Sequence, residues 1–181
     1  MLKAIFTCIA MTCASIAQAA TLDFGEAGTG FLGTTQISIT GATVTALPPS
    51  GDNLFVFSPS DRFCFIMGNV CEGDGEIDFN GTVSGLTFTS EGFNPGDFTV
   101  ISALASGGGV LGTVNVTTNM LIDFSGLSGI SKLMFDDSST GAGFSFGAFS
   151  FEFDGSDVPL PAAAPLMLLG LGFLARRRLT A

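Results

Sequence analysis

Histidine, tryptophan and tyrosine are all missing from this 181-residue chain. Without histidine no Ser-His-Asp triad, Cys-His dyad or His-ligated metal can be assembled. Without tryptophan and tyrosine the usual stacking platforms of a sugar cleft are gone. Positive charge is also scarce. Of six basic residues, Lys3 lies near the start and Arg176, Arg177 and Arg178 near the finish. Residues 20–157 hold all sixteen carboxylates but only Arg62 and Lys132, so two cations against sixteen anions leave −14. Phosphate contacts need clustered Lys or Arg, which excludes a nucleic-acid partner. The same balance argues against direct binding to an anionic membrane face. A serine hydrolase would need a lysine base. Lys132 is the one lysine in that region, with no serine motif beside it. The expectation is a protein that is not an enzyme.

What is present at the amino terminus is an address. Lys3 supplies a short positive region and residues 4–16 a mostly apolar stretch, too short for a lasting span. Ala17 and Ala19 then put small side chains at the −3 and −1 positions of a cleavage site. The expected signal peptide is 1–19, cut by signal peptidase before Ala20. A lipoprotein signal at Cys13 is the rival, but Thr12 precedes it where a small residue is wanted. Removing 1–19 removes Cys8 and Cys13 and leaves Cys64 and Cys71. An even pair in an exported protein reads as a disulfide, with Gly68-Asn69 suited to the turn between them. Two thiols without histidine leave zinc short of ligands.

The carboxyl terminus changes character at Val158-Pro159-Leu160-Pro161-Ala162. Alternate prolines forbid a central strand and favour an extended segment. Residues 162–175 then run without charge and Arg176–178 follow at once. As a helix that run spans roughly 21 Å, short of the ~30 Å hydrocarbon core. Its terminal position and cationic stop nonetheless point to a short membrane helix, with snorkelling arginines and a thinned bilayer. Positive charge stays inside, so the acidic region lies outside. Motif, apolar helix and arginine cluster in this order resemble the PEP-CTERM/exosortase sorting signal in its VPLPA variant. The match covers 158–181. The resemblance implies a protein exported from a Gram-negative bacterium and held briefly in the inner membrane. An exosortase-like sorting enzyme would cut it near the motif and release the domain to the cell surface or extracellular matrix. The physical logic parallels a removable lipid-anchor signal. A permanently membrane-anchored surface protein is the alternative.

Between these ends, residues 20–157 form one domain's length of chain. Twenty-five glycines in the chain fall mostly between short runs of period two. The runs are 36–40, 43–47, 54–57, 86–89, 98–103, 113–117, 120–124, 130–135 and 144–153. Their spacing near ten residues predicts an all-β sandwich or barrel, with Pro48, Pro49, Pro59 and Pro95 between strands. In the last run the phenylalanines sit at 144 and 146, then 149, 151 and 153. The parity switch at Gly147-Ala148 predicts a β-bulge that keeps all five rings on one face. The region also resembles, loosely, the jelly-roll domains found upstream of such sorting signals. Those often end in Asp-Asp-Phe-Ser-Phe, where this chain has Gly147-Ala148, so no contact of the aspartates is carried over.

Two acidic segments are candidates for chemistry. Glu72, Asp74, Glu76 and Asp78 alternate with residues that include two glycines, and could offer oxygens to Ca²⁺. If 75–79 is instead a strand, Glu76 and Asp78 point to solvent. Asp136-Asp137 is expected in the turn before the last strand. Asn80-Gly81-Thr82 matches a glycosylation sequon, and a hairpin turn explains it equally. The expected function is a non-catalytic surface or matrix protein without a cofactor. The alternative is a carbohydrate-binding or calcium-dependent adhesive module, whose partner would be extracellular polysaccharide.

Overall fold

The computed structural model describes residues 19–48, 53–58, 61–137 and 143–154. Twelve strands fill it: β1 Ala19–Thr21, β2 Gly30–Phe31, β3 Gln36–Ile39, β4 Ala42–Ala46, β5 Asn53–Phe57 and β6 Arg62–Ile66, then β7 Gly75–Glu91, β8 Thr99–Ala105, β9 Val110–Val116, β10 Met120–Phe124, β11 Ile130–Asp137 and β12 Ser145–Phe153. A 3-10 turn at Phe24–Ala27 is the one helical element among the described residues. It is capped by Asp23, whose carboxylate accepts from Gly25 N. Every strand pairing is antiparallel. The predicted all-β class and nearly all the predicted runs are therefore present.

One strand organises the fold. The first half of β7 pairs with β4 and β11, and its second half pairs with β12 and β10. A first sheet thus runs β3-β4-β7-β11-β8-β9 and a second β2-β5-β6-β12-β7-β10, both sharing β7. The buried side chains of β7 switch parity between Val83 and Leu86. Gly85, at φ +63°, absorbs the extra residue, as a bulge requires. Asn80-Gly81 therefore lies inside a strand, where the sequence suggested a hairpin turn. A chain passing from one sheet to the next needs small, permissive residues just as a hairpin does.

The sheets close on each other through phenylalanine. From the second sheet come Phe63, Phe65, Phe88, Phe146, Phe149 and Phe151, all buried. They meet Phe135 and Phe79 of the first, with centroids 5.4 Å apart for Phe65–Phe135, 4.8 Å for Phe135–Phe146 and 5.1 Å for Phe79–Phe151. The predicted bulge in β12 is present. The register shifts between Gly147 and Ser150, and Ala148 turns out to solvent at φ +53°. Phe144, Phe146, Phe149 and Phe151 are consequently all buried, and Phe153 packs against their cluster.

Past the bulge, β1 takes the place that β6 occupies before it. Ala19, Ala20 and Thr21 pair with Glu152, Phe151 and Ser150. Because the pair is antiparallel, Ala19 and Phe153 lie at the same end of the sandwich. The opposite end gathers the loops around Glu72, Asp74, Asp97 and Asp137. No helix among the described residues is long and apolar enough to cross a membrane. The residues 1–18 and the segment 158–181, with its motif, apolar run and Arg176–178, lie outside the described residues.

Candidate functional site

Cys64 and Cys71 are bonded, with Cα atoms 5.5 Å apart. Met67 and Val70 form a bridge across Gly68-Asn69, and Gly68 at φ +67° supplies the left-handed position of that turn. The bridge closes a short ring and restricts the unfolded chain, an effect worth on the order of 2–3 kcal/mol. It also anchors the loop that carries the acidic segment. Phe65 O accepts from Gly73 N, and Asp74 O accepts from Leu47 N.

The four carboxylates of that segment part company. Glu76 and Asp78 sit on the outer face of β7, opposite Lys132 of β11. Lys132 Nζ reaches Glu76 Oε2 at 2.7 Å and Asp78 Oδ1 at 3.2 Å. The hydrogen bond to Glu76 holds the lysine pKa above its ordinary value, with burial opposing and Asp78 adding to the rise. Asp74 turns the other way and accepts from Asp137 N at 2.8 Å. Asp136 and Asp137 close β11 and are not in a turn, because their backbones pair with Val100 and Thr99. Among the described residues no three Asp, Glu or Cys side chains are grouped so as to hold a metal ion.

The acidic loop end has its own titration. Burial first, then Asp137 and Asp97, raise the Glu72 pKa above the ordinary glutamate range. A raised folded-state pKa means that protonation favours the fold. That contribution is full below the unfolded value and is lost as pH rises through the folded one. Glu72→Gln is therefore expected to raise the urea midpoint at pH 7 and to leave it unchanged at acid pH, where both chains carry a neutral group. Equal gains at both pH values would contradict the assignment.

A surface the sequence reading missed lies on the outer face of the second sheet. Phe31 of β2 stands opposite Phe55 of β5, ring centroids 5.0 Å apart, and Phe57 follows at 4.7 Å from Phe55. Phe31 is 57 % exposed. The Arg62 guanidinium lies 5.5 Å from the Phe57 ring centroid and is ion-paired with Glu91. The available signal was the run Leu54-Phe-Val-Phe57, apolar on both faces of a strand whose outer face ought to be polar.

No protein-family model and no curated protein matches the chain.

Proposed function

We propose that this is a non-catalytic exported protein of the cell surface or extracellular matrix. Its jelly-roll-like β-sandwich is delivered by an exosortase-like sorting enzyme acting on the carboxyl-terminal signal. The observation that carries this reading is the order Val158-Pro159-Leu160-Pro161-Ala162, an uncharged run to Ala175, then Arg176–178. The pairing of Ala20 with Phe151 supports it. The first and last strands of the domain thus have their outer ends at one end of the sandwich, opposite the acidic loops, so a tether attached at that end would hold those loops away from a bilayer. Like-charge repulsion from anionic lipid favours that orientation. Export to an oxidising compartment also accords with the Cys64–Cys71 bridge.

Replacing Pro159 and Pro161 together by alanine is the direct test. The shorter exterior form is expected to disappear and the uncut chain to collect in the membrane fraction. Unchanged processing and location would overturn the sorting reading.

The aromatic stripe favours a second reading, contact with extracellular polysaccharide. Sugar rings pack their C–H faces on aromatic side chains, and the Arg62–Glu91 pair offers hydrogen bonds at the edge. Covering a phenylalanine contributes about 1.5–3 kcal/mol. Phe31→Ala is then expected to weaken retention on matrix polysaccharide by roughly tenfold or more. Parent protein that shows no retention would remove this reading.

A further inference from the structure

Two stretches of the chain match the acceptor pattern for an N-linked sugar, Asn80-Gly81-Thr82 and Asn115-Val116-Thr117. Their surroundings differ. Asn80 and Gly81 are exposed and Thr82 is partly exposed. They link two buried anchors, Phe79 and Val83. Pairing with β4 stops at Phe79, and pairing with β12 begins at Val83. On β11 the register shifts between Lys132 and Ile130, the partners of Asp78 and Val83. The tripeptide therefore sits where β7 passes from one sheet to the other, and none of its three residues has a register partner in a neighbouring strand. Two backbone bonds hold its ends, Asn80 N to Gly41 O at 2.9 Å and Asp154 N to Thr82 O at 2.7 Å. Neither the Asn80 amide nor the Thr82 hydroxyl is hydrogen-bonded among the described residues.

The hairpin that would explain Asn-Gly is not there. Passage between sheets accounts for Gly81, but it asks for neither an amide at 80 nor a hydroxyl at 82. Sugar transfer asks for both. An asparagine amide and the backbone two residues on can close an Asx-turn, which brings the hydroxyl of the third residue towards the amide. Gly81 has no side chain to obstruct such a turn. The two backbone bonds use Asn80 N and Thr82 O, atoms the turn does not need. In the other stretch the middle residue, Val116, is fully buried and paired with Thr99. The same turn there would pull Val116 out of the core. We propose that Asn80 is the acceptor of an N-linked oligosaccharide, added to the folded domain. The donor is an oligosaccharide carried on a lipid diphosphate. A bond forms between Asn80 Nδ2 and the first sugar carbon, and the bond from that carbon to the diphosphate oxygen breaks. One amide proton passes to a base of the transferase, and the lipid diphosphate leaves. The sugar then stands on the outward side of β7, where its bulk is tolerated and adds solubility. Transfer rests on the export reading, because the donor lipid presents its sugar on the outer side of the membrane.

The test uses the full chain in the cells that make it. Trypsin cuts after Arg62 and Lys132, releasing one peptide, 63–132, that holds both acceptor patterns and the Cys64–Cys71 pair. The peptide from exported protein is expected to be heavier than its amino acids by one oligosaccharide, which fragments in whole sugar residues and maps to Asn80. Asn80→Gln and Thr82→Ala are each expected to remove that increment. Thr82→Ser, which keeps the hydroxyl, and Asn115→Gln are expected to retain it. The Cys64–Cys71 bridge, read in the same peptide, should persist in all four, which separates lost transfer from lost fold. A bare peptide from exported parent protein would overturn the proposal and leave the export reading standing. So would an increment that survives Asn80→Gln or that disappears with Asn115→Gln. A bare chain found only in the cytoplasm would overturn both.

Discussion

Phe149→Ala is expected to lower the unfolding free energy by about 3–5 kcal/mol. Phe149 stacks on Phe88 with centroids 4.4 Å apart and 5° between planes, and meets Phe24 and Phe63 at 5.5 and 6.1 Å. It is the first inward ring after the β12 bulge, so its loss removes apolar area and opens a cavity where β6, β7 and β12 converge. Surrounding rings relax little, because each is fixed by others. Phe63, for example, also touches Phe24, Phe65 and Phe146. A domain of this size is stabilised by only about 5–15 kcal/mol in all. Denaturant unfolding should therefore show a large drop in midpoint, and expression should yield less soluble protein. A loss under about 1 kcal/mol would mean that the rings are not packed as described.

The second large effect comes from adding one carbon. A Cβ at Gly75 would lie 2.0 Å from Phe65 Cε1 and 2.3 Å from Phe65 Cδ1 and Cζ. Phe65 cannot swing aside, since its ring is buried against Phe63 at 5.2 Å and Phe135 at 5.4 Å. Gly75 is paired on both sides, to Ala46 of β4 and Phe135 of β11, so the backbone cannot yield either. Gly75→Ala is expected to destabilise by about 1–3 kcal/mol or more through overpacking. Phe65→Leu in the same chain should recover part of the loss. A double-mutant cycle measures that coupling, and strictly additive losses would contradict the direct clash.

Much of the sandwich was legible because its strands obey a two-residue period with one face buried. The runs at 36–40, 43–47, 120–124 and 130–135 correspond to β3, β4, β10 and β11. The phenylalanine parity switch located the β12 bulge to the residue pair that makes it. β6 was not legible. Cys64 points outward but is buried beside its partner Cys71, so Phe63-Cys-Phe-Ile66 reads as a continuous apolar run with no period. β7 was recognised only in its last third, because a strand shared by two sheets changes parity midway and the alternation breaks at Asn80-Gly81 and Gly85. The dispersal of the acidic segment was illegible for a related reason. Glu76 and Asp78 belong to the outer face of a strand, and the residue that claims them, Lys132, comes from a strand distant in sequence. Cross-strand register, which brings those three together, has no local signature. The aromatic stripe depended on the same information, since Phe31 and Phe55 become neighbours only through the β2–β5 pairing.

Intact mass of the protein recovered outside the cell tests the central claim most directly. The account predicts a chain beginning at Ala20 and ending within 158–162, lighter by about 2 Da for the Cys64–Cys71 bridge. A reduced chain of all 181 residues, found inside the cell and nowhere else, would contradict it.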